Sequence, residues 1–188
     1  MSEIDAEVAS ARIPDVPGIV ALVDRYARHG EILPRTQEEI YQTIRDWVVA
    51  KRMGQVVGCG SLVVLRDDLV EIRSLVVAPE FHGEGIGRRL ITTLLEQATE
   101  LGIPQAFALT RQTGFFFKMG FHQAPRETLP RKIWKDCIFC TKFAGCDEVA
   151  VVRALQAATE KTSQGDGRVQ MTASVEPGEH ACDQIGLR

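Results

Sequence analysis

Apolar residues recur at two different spacings along the chain, and the change from one to the other predicts the order of its elements. Ile19, Val23, Tyr26 and Ala27 fall three or four residues apart, the spacing of one helix face. Asp15-Val16-Pro17 opens that helix, with Asp15 as side-chain cap and the proline tolerated in the first turn; Gly30 stops it. Thr36-Gln37-Glu38-Glu39 fits a capping box and predicts a second helix to about Arg45. The period then changes. Valine-rich runs over 47–52, 55–65 and 69–77 read as strands joined by turns at Met53-Gly54 and Arg66-Asp67-Asp68. Ile86, Leu90, Ile91, Leu94, Leu95 and Ala98 form the stripe of the clearest helix, 85–101, which Gly102 ends. Shorter strands are expected at 7–13, 105–110, from Gly120-Phe121 and at 147–154, with a Phe-rich helical turn at 113–119. Tyr26 and Tyr41, the two tyrosines, sit on amphipathic helices and read as packing residues.

Hairpins followed by one strand–helix–strand crossover predict a mixed α/β (α+β) sheet flanked by helices. Length allows one domain, expected over 1–154. Beyond it the composition turns polar, and 155–188 reads as a disordered tail. Hydrophobic residues are 45% and charged residues 25% of the 188, enough for a core without staples. A net charge of −3 gives no basic field for nucleic acid, and no stretch is long and apolar enough for a membrane span. The acidic N-terminus lacks an apolar export segment, so the five cysteines are expected as reduced thiols in a cytoplasm.

His82-Gly83-Glu84-Gly85-Ile86-Gly87-Arg88 lies between a strand and the best helix. Glycines let backbone N–H groups approach a phosphate, and the helix N-terminus adds its dipole. No Gly-Lys-Ser/Thr follows, and the third glycine of a dinucleotide fingerprint is missing. On spacing alone, a simple connecting turn and a phosphate cradle stand level.

The wider segment from Ser74 through Ala78-Pro79 to Gly87 resembles the acetyl-CoA motif of the GNAT N-acetyltransferase family. Phe115-Phe116-Phe117-Lys118-Met119-Gly120-Phe121 resembles that family's closing motif, at the expected separation, and the resemblance spans about residues 7–154. It implies a GNAT fold and acetyl-CoA as co-substrate. Leu75, Val76 and Val77 would pair with the pantetheine arm as an added strand, His82 to Arg88 would hold the pyrophosphate, and Phe116 would line the cofactor. His82 replaces the family's usual Gln or Arg, and Phe116 stands where many members have an acid tyrosine. Acetyl transfer needs a neutral amine, a base and a polarised thioester. Glu71 matches a catalytic glutamate of some members, with a solvent-facing strand-end charge as the plain alternative; the Val76 amide is the candidate for the thioester oxygen.

Within the family, Gly30-Glu31-Ile32-Leu33-Pro34-Arg35-Thr36, Val57-Gly58-Cys59-Gly60-Ser61-Leu62 and Ala108-Leu109-Thr110-Arg111 with Thr113 resemble the acetyltransferase domain of bacterial N-acetylglutamate synthases, including their short stand-alone forms. The resemblance implies that Arg35 and Arg111 grip the carboxylates of a small-molecule amino acid, with Thr113 beside them. Guanidinium forks suit that task. Arg73, two residues from Glu71 on one strand face, is a third candidate. Any single arginine is more often a solvated surface charge, and it is their joint placement beside the cofactor motif that favours a site. A lysine of the long forms is absent, since Val63 follows Leu62. Glutamate, converted to N-acetylglutamate for arginine biosynthesis, is the leading acceptor; glutamine, another small amine or a protein lysine are alternatives. A non-catalytic acetyl-CoA-binding module is a reading of another class, and a homodimer is compatible with the fold.

Cys137-Ile138-Phe139-Cys140 with Cys146 raises a metal site, with His122 or Cys182 as fourth ligand. The second CxxC of a structural zinc site is missing, so free thiols are the expectation and no metal is required.

Overall fold

The computed structural model describes residues 5–125, 129 and 145–155. Strand β1 (Glu7–Ser10) is followed by a 3-10 turn at Ile13–Asp15, helix α1 (Val16–Ala27), helix α2 (Gln37–Gln42) and a second 3-10 turn, Ile44–Asp46. Then come β2 (Trp47–Arg52), β3 (Gln55–Arg66) and β4 (Leu69–Val77). Helix α3 (Ile86–Glu100), β5 (Gln105–Thr110), α4 (Thr113–Lys118), β6 (His122–Gln123) and β7 (Val149–Ala154) complete the order among the described residues. The seven-stranded sheet runs β1-β2-β3-β4-β5-β7-β6. Strands β4 and β5 pair in parallel, joined by the α3 crossover, and their neighbours pair antiparallel. The mixed sheet flanked by helices is the expected fold class.

Local chemistry explains where the elements begin and end. At α2 the capping box is realised: Thr36 Oγ1 accepts from Glu39 N at 3.1 Å, and Glu39 returns the bond to Thr36 N at 2.8 Å. That helix stops at Gln42, three residues short of expectation, and tightens into the second 3-10 turn. Strand β1 ends at Ser10 because the chain coils into the turn containing Pro14. Asp15 does not cap α1 with its side chain. Its carboxylate instead accepts from Arg12 N at 2.8 Å inside that turn and lies 3.4 Å from Lys51 Nζ. The strand expected from Gly120 shortens to two residues.

Alternating side chains divide the core between the two sheet faces. Helix α3 packs on one face, over Val48, Leu62, Val70, Ile72, Ala106 and Ala108. Two strand glycines let it approach: a Cβ on Gly58 would meet Leu90 at 3.0 Å, and one on Gly60 would meet Leu94 at 3.0 Å. Helix α1 covers the other face, over Trp47, Val49, Cys59 and Val76. Farther along that face, Leu69, Phe107, Leu129, Ala150 and Val152 make a separate apolar cluster.

Two irregularities in β4 create an open edge inside the sheet. Its register with β3 passes from Ser61↔Arg73 to Cys59↔Val76, so β4 carries one extra residue there. Ser74 takes up the bulge with a φ of +53°, a left-handed conformation that a side chain rarely adopts. The bulge resets the alternation: Glu71, Arg73 and Val76 share the α1 face, while Ile72, Leu75 and Val77 pack on the α3 side. Pairing of β4 with β5 is confined to Val70↔Ala106 and Glu71↔Phe107. Beyond Glu71 the two strands diverge. The expected tail from 155 lies, past Leu155, outside the described residues.

Candidate active site

The divergence leaves the C-terminal half of β4 with one open edge. Successive peptide groups of a strand point to opposite neighbours. Ala78 N donates to Val57 O at 2.8 Å, towards β3. By the same alternation Val76 turns its amide towards β3, opposite Cys59, and Leu75 and Val77 turn theirs to the open edge. Val76, the residue expected to offer its amide to a thioester, thus turns its N–H towards β3, and the amides facing the open edge are those of Leu75 and Val77.

The open edge leads directly into the glycine turn. Gly83 and Gly85 have φ of +87° and +78°, conformations that glycine adopts without strain. The first intrahelical bond of α3 runs from Arg89 N to Gly85 O at 3.1 Å. The N–H groups of Gly85, Ile86, Gly87 and Arg88 therefore precede the ladder and form an anion cradle at the positive end of a 15-residue helix. Acidic side chains beside the cradle are neutralised. Glu84 pairs with Arg52 at 3.0 Å, and Arg52 also lies 5.2 Å above the Phe81 ring. Glu80 pairs with Arg25 at 2.8 Å, and that guanidinium holds the exposed carboxyl below the usual range.

His82 differs from its expected use. Its imidazole folds back along the turn, with Nε2 2.8 Å from Val77 O, rather than joining the backbone cradle. Tyr26, on the last turn of α1, donates its hydroxyl to the same carbonyl and lies 3.1 Å from His82 Nε2. Burial pushes the Tyr26 phenol up from its ordinary value. Tyr26 is thus not a plain packing residue, and Tyr41 is exposed. Helical periodicity cannot separate a core tyrosine from one whose hydroxyl reaches another element. Phe116 is buried edge-on against Phe115 and Phe121, at 5.4 and 5.2 Å between ring centres. The ring beside the cradle is Phe115, 3.6 Å from where a Cβ on Gly87 would stand.

Between the two apolar clusters of the α1 face lies a polar band. Glu71, half-buried, stands opposite Val63 and beside Phe107; Arg73, also half-buried, stands opposite Ser61. Burial raises the Asp46 carboxyl, and the Arg73 charge opposes that shift, so Asp46 borders the band. Arg111 follows β5. Its Nε meets Asp147 Oδ1 at 2.5 Å, and its Nη1 donates to Gly30 O at 3.1 Å and Glu31 O at 2.9 Å. Asp147 raises the Arg111 pKa further. Arg111 therefore clamps the α1–α2 loop, the same loop that carries half-buried Arg35. Arg111 holds the start of that loop at Gly30 and Glu31 and is itself paired with a carboxylate. Thr113 opens α4 and is partly buried.

Of the cysteine segment, Cys137, Cys140 and Cys182 lie outside the described residues. Cys146 Sγ lies 3.9 Å from Glu148, and His122 is exposed on β6. Among the described residues no three His, Cys, Asp or Glu side chains gather as a metal site. No helix among them is long and apolar enough to cross a membrane.

A profile of the acetyltransferase (GNAT) family matches residues 19–121, from α1 through the cradle to Phe121. The chain belongs to the GNAT acetyltransferase family. This acetyltransferase is 41% identical over 155 residues to an uncharacterized N-acetyltransferase of Chlorobaculum tepidum, covering 82% of the present chain and all of that one. It is 42% identical over 118 residues to an amino-acid acetyltransferase of Mycobacterium tuberculosis, covering 61% and 67% respectively. Among solved structures it resembles an N-acetylglutamate synthase from Neisseria gonorrhoeae complexed with coenzyme A and N-acetyl-glutamate. There the TM-score is 0.71 at 29% identity, over 82% of this acetyltransferase and 36% of the longer synthase.

Proposed function

We propose that the protein is an acetyl-CoA-dependent amino-acid N-acetyltransferase whose acceptor is L-glutamate and whose product, N-acetyl-L-glutamate, serves arginine biosynthesis. The observation that carries the reading is the meeting of three features around β4: an open edge, an amide cradle at its end, and a polar band of Glu71 and Arg73 under a loop held by Arg111. The residues present fit acetyl-CoA, because the cradle offers backbone N–H groups at a helix N-terminus and the open edge offers strand hydrogen bonds. Bound there, acetyl-CoA supplies the thioester to be attacked.

In this reading Leu75 and Val77 pair with the pantetheine arm, and the amides of 83–88 hold the pyrophosphate. The Leu75 N–H polarises the thioester oxygen. Glu71 removes the proton from the attacking amine, directly or through water. Arg73 and Arg35 bind the acceptor's carboxylates, and Arg111 contributes Nη2, the nitrogen not engaged by Asp147 or the loop carbonyls, with Thr113 beside it. The synthase neighbour supports glutamate, since it is complexed with N-acetyl-glutamate. One observation favours glutamine as second reading: Arg111 is already neutralised by Asp147, and Val63 adds no charge to the band.

Replacing Arg111 with alanine tests the acceptor side. The expected result is a glutamate KM raised at least tenfold with the acetyl-CoA KM within threefold, the loss of a charge-assisted pair. Equal effects on both KM values would remove Arg111 from the acceptor site.

A further inference from the structure

The chemistry of the site leaves the departing thiolate without an evident proton donor. When the amine attacks, the new C–N bond forms and the C–S bond breaks, with its electron pair departing on the sulfur of CoA. Phe116, at the position of the family's acid, has no hydroxyl and is buried among phenylalanine rings. Two groups with exchangeable protons stand at the open edge of β4 instead, Tyr26 and His82.

Their hydrogen bonds have one consistent assignment. Val77 O can only accept, so the Tyr26 O–H donates to it. His82 Nε2 must then carry a hydrogen, shared between Val77 O at 2.8 Å and the Tyr26 oxygen at 3.1 Å. The imidazole is exposed to solvent. The phenol is partly buried, and desolvation raises its pKa above the ordinary value. Titratable and charged groups face it from each neighbouring element: Arg25 on its own helix, Glu31 in the following loop, Glu80 and His82 in the turn, and the neutral Cys59 thiol of β3.

An amide donated by an added strand at this edge needs Val77 O, which already holds two donors for its two lone pairs. One donor must leave. The Tyr26 hydroxyl, released from Val77, is then two residues along the edge from the Leu75 amide that faces the thioester.

We propose that Tyr26 is the general acid of the reaction and His82 its proton supply. The Tyr26 proton goes to the departing thiolate; the imidazole then passes its Nε2–H to the phenolate as Nδ1 takes a proton from solvent, so no imidazolate forms, and exchange with water returns the Nε2–H tautomer, the proton lost by the amine making up the balance in solvent. The inference rests on the acetyl-CoA reading of the cradle and is independent of which amine is the acceptor.

The test is single-turnover acetyl transfer by Tyr26→Phe, using whichever amine the wild-type protein acetylates fastest. The first-turnover rate at saturation is expected to fall 10- to 100-fold, with the acetyl-CoA KM within threefold of wild type. His82→Ala, which cuts the return path, is expected to slow steady-state turnover more than the first turnover. The alkaline limb of the wild-type rate should be missing from Tyr26→Phe. Because the chain has two tyrosines, a Tyr41→Phe protein labelled with difluorotyrosine offers a check that leaves the residue in place. Its more acidic phenol should move the alkaline limb to lower pH. A first-turnover rate within threefold of wild type, or a rise in the acetyl-CoA KM alone, overturns the proposal and makes Tyr26 a brace for the end of β4. Loss of glutamate activity with retention of another amine would touch the acceptor reading only.

Discussion

Burial does different work at Cys59 and at Arg111. The Cys59 thiol is wholly buried on β3 under α1, and desolvation pushes its pKa from an ordinary 9.0 up to about 12. The folded protein therefore keeps this proton where the unfolded chain gives it up. Stability from this group is intact below pH 9 and is lost as pH rises towards 12. In urea titrations between pH 9 and 10.5, the wild-type midpoint should fall more steeply than that of Cys59→Ala. Parallel slopes would mean that the thiolate is tolerated inside. Arg111, by contrast, is charged throughout and meets its counter-ion in Asp147, 36 residues later in the chain. That partner was not legible in the sequence, because nothing local to either residue announces the pair. The arginine itself was legible only through resemblance. Tyr26 went unseen for a related reason: its spacing is that of a core residue, while its hydroxyl partner lies 51 residues away.

Elements read well where their signals are local. The capping box at Thr36, the hairpin at Met53-Gly54 and the α3 stripe all appear as the sequence implies. What periodicity could not supply is the bulge at Ser74, since an extra residue in one strand shows only against its partner. That single slip puts Arg73 and Val76 on the same face and turns the amides of Leu75 and Val77 outward. Helix α2 makes a testable case of a local signal with a remote effect. Thr36→Ala removes the cap and should cost about 0.5–2 kcal/mol in urea unfolding. Because Arg35 precedes the cap directly, the same change should raise the acceptor KM and spare that of acetyl-CoA. Loss of stability with no change in acceptor KM would separate the loop from the site.

At the scale of the whole molecule, everything is organised around the divergence of β4 from β5. Helix α3 and its cradle lie at the end of the open edge, and the polar band of Glu71 and Arg73 lies on the α1 face beside it. The last turn of α1 touches both regions: Arg25 and Tyr26 reach the strand-to-cradle turn, and the loop after α1 is held by Arg111. In the proposed reading, this arrangement would bring a thioester and an amine to the same stretch of strand. The most direct measurement is release of free CoA from acetyl-CoA with glutamate, glutamine, aspartate, lysine and arginine offered in turn to the purified chain. The account predicts the highest kcat/KM for glutamate, at least tenfold above aspartate, whose side chain is one methylene shorter. Turnover of lysine or arginine ahead of both glutamate and glutamine would contradict it, because Arg35, Arg73 and Arg111 are assigned to carboxylates and would meet a cationic side chain with like charge.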